Sequence, residues 1–373
     1  MTRPLVVLIR ALLLALLVAT AGFAQTASPY LSVKDFGAKG DGQGDDTQAL
    51  QEALKAAGQS LGSGQLTVYY SSNRTLFLPA GHYRVSKALE VGAYTMLLGE
   101  QSIIEQTDPE QDILHCMGYR NEFSGLTFLR GKRHVVIKTG NIDTCTPRIT
   151  RCQFMHSAGP AVETEEPSNS TLLVIRDCFF IQCDQVLVNR CDKAVVQDCW
   201  VTTASTMKDR AVFTNFGVLH LDRLLGVPLV ERDNDQRWVD NYSCVSCTGC
   251  RFGGESAGLC VINNLATYDH TYPVWPTYIH LDNCDIYALG NPKRKAAIYC
   301  VEVPNQIVIR GCHGLCDLPL LAVDPAVNLD TYFEKAGERG FANLRYSIED
   351  SSCEIIGKNQ ELPAQMQKYQ SRP

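Results

Sequence analysis

From residue 121 onward the chain repeats one short pattern: an apolar residue, a variable one, a turn-type residue, then Cys or Leu, then a second apolar run. It recurs in NEFSGLTF (121–128), PRITRCQF (147–154), LVIRDCFF (173–180), AVVQDCWV (194–201) and LHLDRLLG (219–226). It returns in CVSCTGCR (244–251), IHLDNCDI (279–286), IVIRGCHG (307–314) and, with a slip, SIEDSSCEI (347–355). The closing position falls on Leu126, Cys152, Cys178, Cys199, Leu224, Cys250, Cys284, Cys312 and Cys353, at spacings of 26, 26, 21, 25, 26, 34, 28 and 41. Most lie near 25, the length of one coil of a three-strand solenoid.

The residue before the closing position explains the pattern. It is Gly125, Arg151, Asp177, Asp198, Arg223, Gly249, Asn283, Gly311 and Ser352. Gly, Asn and Asp dominate, and these tolerate the left-handed backbone. One residue in that conformation turns a sharp corner between two strands, so that the apolar residue two before it and the Cys after it both point inward. Coils stack at a strand spacing of about 4.8 Å, so eight steps span roughly 40 Å. An internal ladder from Leu126 to Cys353 is expected.

Upstream the pattern differs. LFLPAGHYRVSKALEV (76–91) reads as two β-type runs around a Pro79-Ala80-Gly81 turn. The Gly and Asp cluster at 37–46 is turn chemistry. Asp46 is placed to cap a helix over 47–57, where Ala49, Leu50, Ala53, Leu54 and Ala57 recur at helical spacing. Residues 1–24 carry Arg3 and Arg10, an apolar run from Ala11 to Val18, and Gly22-Phe23-Ala24 as a small-residue cleavage site. They read as a secretory signal peptide cut before Gln25, with an uncleaved N-terminal anchor as the alternative.

The string VKDFGAKGDGQGDDTQALQEAL (33–54), followed by LFLPAGHYRV, resembles the pectate-lyase-like superfamily, in its rhamnogalacturonase/epimerase-like branch. That branch includes polysaccharide hydrolases, lyases and phage tailspikes. The resemblance implies an all-β, right-handed parallel β-helix with an N-terminal capping helix. It makes Asp35, Asp41, Asp45 and Asp46 structural, although together they look like a metal cluster. The expected organisation is a signal peptide at 1–24, a cap region with its helix at 25–75, the β-helix at 76–357 and a polar C-terminal tail at 358–373. The branch's hydrolase motifs (N-T-D, a D-D pair, G-H-G, R-I-K) are absent as such, and Gly311-Cys312-His313-Gly314 is a distant echo of G-H-G. The resemblance therefore bears on fold, and activity follows by association.

Composition narrows the classes. Of 373 residues, 45% are hydrophobic and 20% charged, which excludes a disordered chain. Lys plus Arg is 34 against 40 Asp plus Glu, a net charge of −6, and this argues against a general nucleic-acid binder. Seven of the 16 cysteines fall on the inferred ladder, where a thiol packs as a small hydrophobe. A disulfide framework is the alternative in an oxidising compartment, with Cys183 and Cys191 as an off-ladder pair. Cys244, Cys247 and Cys250 have metal-site spacing, but Cys247 falls on an inward apolar position and Cys250 on the ladder, so no metal ligands are assigned.

Candidate chemistry lies on a third strand of each coil: QVLVN (185–189), PLVE (228–231), LCVIN (259–263), IYCVE (298–302) and LLAVD (320–324). Their last residues, Asn189, Glu231, Asn263, Glu302 and Asp324, are expected to stack as an outward polar row. Glu231 and Glu302 would then be about 9.6 Å apart, and Glu302 and Asp324 about 4.8 Å. Such separations suit inverting and retaining glycosidases, at about 6.5–9.5 Å and 5–5.5 Å respectively. The competing reading is that polar strand ends are turn residues. It gains from the apolar residues two before each: Leu187, Leu229, Val261, Cys300 and Ala322. Two loops supply binding groups: 231–238 with Asp233 and Asp235, and 264–278 with Tyr272 and Trp275, whose rings suit the C–H faces of sugars.

The expectation is an exported protein, secreted or periplasmic, that degrades a polysaccharide by general acid–base chemistry as a glycoside hydrolase or polysaccharide lyase. Its substrate would be an acidic, pectin-like glycan. Glu231, Glu302 and Asp324 are the catalytic candidates; Trp275, Tyr272, Asp233, Asp235 and Asn263 are the substrate-binding ones. No cofactor is expected, except calcium if the enzyme is a lyase. The partner is the polysaccharide, with no nucleic acid and no membrane after signal cleavage. The alternative is a non-catalytic carbohydrate-binding or surface-attachment β-helix.

Overall fold

The computed structural model describes residues 30–58, 75–117, 120–138, 146–165, 172–203, 211–226, 237–241, 244–252, 262–264, 278–288, 295–301, 304, 306–327, 345–349, 354–357 and 361–367. Residues 1–24 lie outside them. One coil shows the design. Leu172–Arg176, Phe179–Cys183 and Gln185–Asn189 form its first, second and third faces. Each pairs in parallel with the equivalent strand of the next coil. Twenty-two strands of the first two faces are bonded as one sheet, eight of the third face as another, and Ile298–Cys300 with Leu321–Val323 as a short pair. This is a parallel β-helix.

The corners are where the sequence pattern puts them. Gly125, Arg151, Asp177, Asp198, Arg223, Gly249, Asn283 and Gly311 all have φ between 50° and 69°. The ladder residues that follow, from Leu126 to Cys312, are at most 2% exposed. The corner also explains the preference for cysteine. Each ladder thiol donates to the carbonyl two residues before it: Cys152 to Thr150 at 3.3 Å, Cys178 to Arg176 and Cys199 to Gln197 at 3.1 Å, and Cys284 to Asp282 at 3.4 Å. A leucine, as at 126 and 224, fills the space but offers no donor. The neighbouring Cys250 thiol and burial push Cys284 up to about 12, and burial raises Cys178 further, so these thiols are unreactive.

Cys183 and Cys191 are buried and are not joined in a disulfide. The strand Gln185–Asn189 separates them, and an extended segment of that length exceeds the roughly 7 Å that a disulfide tolerates between Cα atoms.

Inside the second face the rings of Phe128, Phe154 and Phe180 stack on successive coils at 5.2 and 4.8 Å. His134 lies against this stack, 6.2 Å from Phe128 and 5.8 Å from Phe154. It is fully buried, and neither ring nitrogen makes a hydrogen bond of good geometry. Burial drives its pKa down to about 3. The folded chain therefore refuses a proton that the unfolded chain accepts below its ordinary 6.5. Stability should fall by about 1.4 kcal/mol per pH unit as pH drops from 6.5 toward 3. His134→Leu is expected to remove that slope and to raise stability at neutral pH by about 1–3 kcal/mol, the desolvation cost of an unpaired polar group. Urea melts at pH 7 and 4.5 check this; an unchanged pH slope would count against it.

The helix spans Thr47–Ala57 and buries Leu50, Ala53, Leu54 and Ala57. Asp46 occupies the cap position but does not cap. Its carboxylate accepts from the backbone N–H of Lys39 at 2.6 Å and Gly40 at 3.0 Å, closing the preceding loop. Asp45 accepts from Thr47 N–H at 2.9 Å instead. Asp41 accepts from Gln43 and Gly44, and Asp35 from Ser32. All four aspartates thus bind their own loops. Near the C-terminus, Leu362 and Met366 of the segment expected as a polar tail are buried in the core. No helix among the described residues is long and apolar enough to cross a membrane.

Candidate active site

Strand parity decides which third-face residues face solvent. The inward column runs Leu89, Leu114, Val135, Val162, Leu187, Phe213 and Val239. The next residue of each strand therefore points outward: Glu90, His115, Val136, Glu163, Val188, Thr214 and Asp240. The third position turns in again. Asn189 pairs with Asn215, which pairs with Asn241. Asn189 is fully buried, and its amide donates to Asn215 Oδ1 at 2.7 Å.

Among the described residues, the expected outward polar row is not formed. Asn189 has the parity of apolar Leu187 and faces the core, while Asn263 lies one column over, in register with Asp240. The strand of the following coil is Ala211–Asn215 and the next is Arg237–Asn241, which end sixteen residues before and ten residues after Glu231. The recurring terminal asparagine in QVLVN, AVFTN and RWVDN is the signal that marks this register. Near the C-terminal end Cys300 pairs with Val323, which puts residue 301 rather than Glu302 opposite Asp324. Glu231, Asp233, Asp235, Tyr272, Trp275 and Glu302 lie outside the described residues, as does the Asn263 side chain.

Asp324 is partly exposed. It accepts from Tyr299 Oη at 2.5 Å and from Ala326 N–H at 2.9 Å, and Lys295 donates to Tyr299 at 2.7 Å. The bond from Tyr299, with the Ala326 amide, holds its carboxyl below the ordinary value.

A denser constellation stands on the outer third face nearer the N-terminus. His115 leaves the strand Leu114–Cys116 outward, and Asp112, three residues earlier, projects on the same side. His115 Nε2 is 2.8 Å from Asp112 Oδ2, and Nδ1 is 2.9 Å from Glu90 Oε1 on the preceding coil. Arg133, one coil on, grips Asp112 with Nε at 2.9 Å and Nη2 at 2.7 Å. Its Nη1 reaches Glu163 at 3.0 Å, and Arg190 holds the other Glu163 oxygen at 3.0 Å. Arg190 also lies over the Phe216 ring at 5.0 Å. Acid and base alternate coil by coil, so each charge meets its opposite across one strand spacing.

The electrostatics assign protonation states. Burial alone would raise the Asp112 carboxyl, but bonds from His115 and Arg133 outweigh it and hold it well below the usual carboxylate range. The same bond to Asp112 raises His115, against burial, with help from Glu90. Two carboxylate acceptors on the two ring nitrogens require an N–H on each, which is the imidazolium form. Glu90 is 65% exposed while Asp112 is 9%. The Asp112 bond is therefore the buried one and the Glu90 bond the exposed one. None of Asp112, His115, Arg133, Glu163 and Arg190 stands out in the sequence. The D-x-x-H spacing of 112–115 is their one local signal.

The comparisons with known proteins agree on this architecture. Residues 30–206 match the family model described as rhamnogalacturonase A/epimerase, pectate lyase-like.

Residues 30–206 are similar to the pectate-lyase-like family.

This pectate-lyase-like segment contains the His115 constellation entire, and the coils beyond residue 206 continue its repeat. Among curated proteins, the chain is 43% identical over 67 residues to the mannuronan C5-epimerase AlgE4 of Azotobacter vinelandii, covering 18% of this chain and 10% of that protein. It is 33% identical over 127 residues to a probable glucan endo-1,3-beta-glucosidase of Arthroderma benhamiae, covering 31% and 14%. It is 41% identical over 75 residues to the plasmin and fibronectin-binding protein A of Streptococcus pneumoniae, covering 20% and 9%. The chain thus spans about a seventh or less of the length of these relatives. Among solved structures, the catalytic unit of a GH87 alpha-1,3-glucanase from Streptomyces thermodiastaticus aligns with a TM-score of 0.51 at 14% identity, over 80% of this chain and 66% of that one. At that identity the likeness is one of fold.

Proposed function

We propose that the protein is an exported enzyme that cleaves an acidic polysaccharide, with His115 as its general acid. The observation that carries this is the doubly bonded imidazole with one buried and one exposed carboxylate partner. Glu90 occupies the place that a uronate carboxylate or a leaving glycosidic oxygen would take. When substrate displaces it, the Nδ1 proton is free to pass to the leaving oxygen as the C–O bond breaks, with water adding to the carbon in hydrolysis or the neighbouring ring C–H proton passing to a base in elimination, while Asp112 on Nε2 keeps the ring oriented. Asp112 and Glu163 are tied to arginines and so suit charge stabilisation rather than proton donation. The family match, and relatives named as epimerase and glucosidase, support a polysaccharide as the ligand. Glu231, Glu302 and Asp324 stay in this reading as further acid–base candidates, with Trp275, Tyr272, Asp233, Asp235 and Asn263 as sugar-binding ones. The lowered Asp324 suits a base.

The test is a panel of polygalacturonate, alginate and α-1,3-glucan, followed by reducing ends and by the absorbance of unsaturated products. Those two readouts separate hydrolysis from elimination. His115→Gln is expected to lower kcat by about 10²–10⁴-fold in protein that remains folded. Glu231→Gln, Glu302→Gln and Asp324→Asn are run beside it. Full activity in His115→Gln would remove the imidazole from the mechanism.

A second reading, a non-catalytic glycan-binding solenoid, is favoured by one observation: each member of the constellation already has a partner within the protein. Glycan binding without product from any member of the panel would establish it.

A further inference from the structure

The second face carries an exposed apolar stripe well apart in character from the charged constellation. Phe179, Trp200 and Leu225 occupy the same outward column on three consecutive coils. They are 41%, 44% and 46% exposed, among the most exposed large apolar residues described. The Phe179 and Trp200 rings meet edge to face, with centroids 5.7 Å apart and planes at 65°. The column ends in polar groups on both sides: Gln153 pairs with Phe179, and Arg251 with Leu225. No carboxylate interrupts it between Gln153 and Arg251.

From this geometry we infer a glycan-holding surface on the second face, separate from the His115 constellation, in which Trp200 and Phe179 stack on sugar rings and Gln153 and Arg251 bond to their hydroxyls or carboxylates. It rests on the polysaccharide reading for its class of ligand. Area decides the occupant. The three side chains leave on the order of 250 Å² of apolar surface open, from the usual areas of such residues. A stable protein interface needs about 800 Å² from each partner. The stripe is too narrow for a second copy of the chain but fits the C–H faces of a few sugars, because an aromatic ring is an apolar plate with tolerance for polar edges. Its rise of about 4.8 Å per coil is close to the rise of one sugar along an extended glycan. Held there, a long chain would be kept near the third face around the next corner without taking part in bond cleavage.

The experiment is affinity electrophoresis of the full chain through gels containing polygalacturonate, alginate or α-1,3-glucan, with sedimentation velocity alongside. Trp200→Ala is expected to weaken retardation by about 5–10-fold, and Phe179→Ala/Trp200→Ala further, while Trp200→Phe retains most of it. Turnover of short oligosaccharides should be the same in Trp200→Ala and the parent, and these surface changes should leave the melting temperature within a degree or two. If the parent is retarded or active and Trp200→Ala matches it in every gel, the stripe is wrong while the polysaccharide reading stands. If the parent is neither retarded nor active on any glycan, both fall. If the double variant loses only a self-associated species in sedimentation, the surface joins copies of the chain and the proposal is overturned.

Discussion

Phe154→Ala is expected to lower the free energy of unfolding by about 3–5 kcal/mol. The ring is fully buried between Phe128 and Phe180, at 5.2 and 4.8 Å, and beside His134. Cavities cost most where the surroundings cannot collapse. Here the coils above and below are held at the strand spacing by ladders on both sides: Gln153 pairs with Thr127 and with Phe179, and Met155 with Leu129 and with Ile181. The walls of the void cannot approach without breaking those bonds. Phe154→Leu, which restores most of the volume, should cost less than half as much. Urea denaturation gives both numbers. A loss below about 1 kcal/mol in the alanine variant would mean that the coils slide to fill the gap, contrary to a rigid stack.

Arg133→Met is the second large effect, and it links stability to the site. Removing the guanidinium strips Asp112 of a bidentate partner and Glu163 of one of its two arginines. Both carboxylates are less than a fifth exposed. Breaking such a pair costs about 2–4 kcal/mol after allowance for solvent screening. The pH dependence follows from the shifts. Asp112 is depressed, so its contribution is present above its unfolded value of 3.8 and is lost as pH falls through its lower folded value. His115 is raised, so its contribution is full below 6.5 and is lost as pH rises through its folded value. Both act fully between 3.8 and 6.5. The loss caused by Arg133→Met should therefore shrink in acid, where Asp112 takes up a proton. It should grow as pH rises through the folded His115 value, where the imidazolium no longer offsets the carboxylate. Melts at pH 3.5, 5.5 and 8 test the order. A loss independent of pH would show that Arg133 acts through packing alone. If His115 is the acid, the same variant should also shift the alkaline limb of the activity profile, because Arg133 and His115 meet through Asp112.

How far the sequence reaches depends on how local the cause is. Asp177-Cys178 and Asn283-Cys284 could be read directly because a corner is a property of one backbone torsion and its neighbours' parity. The helix at Thr47–Ala57 was legible for the same reason, from its own periodicity. Asp46 was misjudged because two free N–H groups, at Lys39 and Gly40, compete for a carboxylate that the helix start could also have used. The outward row failed on a one-residue shift. Since side chains alternate, that shift moved Asn189 from solvent to core and Asn263 into another column.

The charged constellation was invisible for a different reason. Asp112 and Arg133 are 21 residues apart, Arg133 and Glu163 are 30, and Glu163 and Arg190 are 27. Coil lengths vary, so no fixed period brings these residues together in the sequence.

The amino-acid order alone determined the coil, its corners and its thiol ladder, because each depends on one residue's torsion preference and the two-residue alternation beside it. Only the tertiary structure decided which polar side chains meet. That depends on the register between coils, set by parallel hydrogen bonding and loop length, and it is the register that puts Asp112, His115, Arg133 and Glu163 within reach of one another.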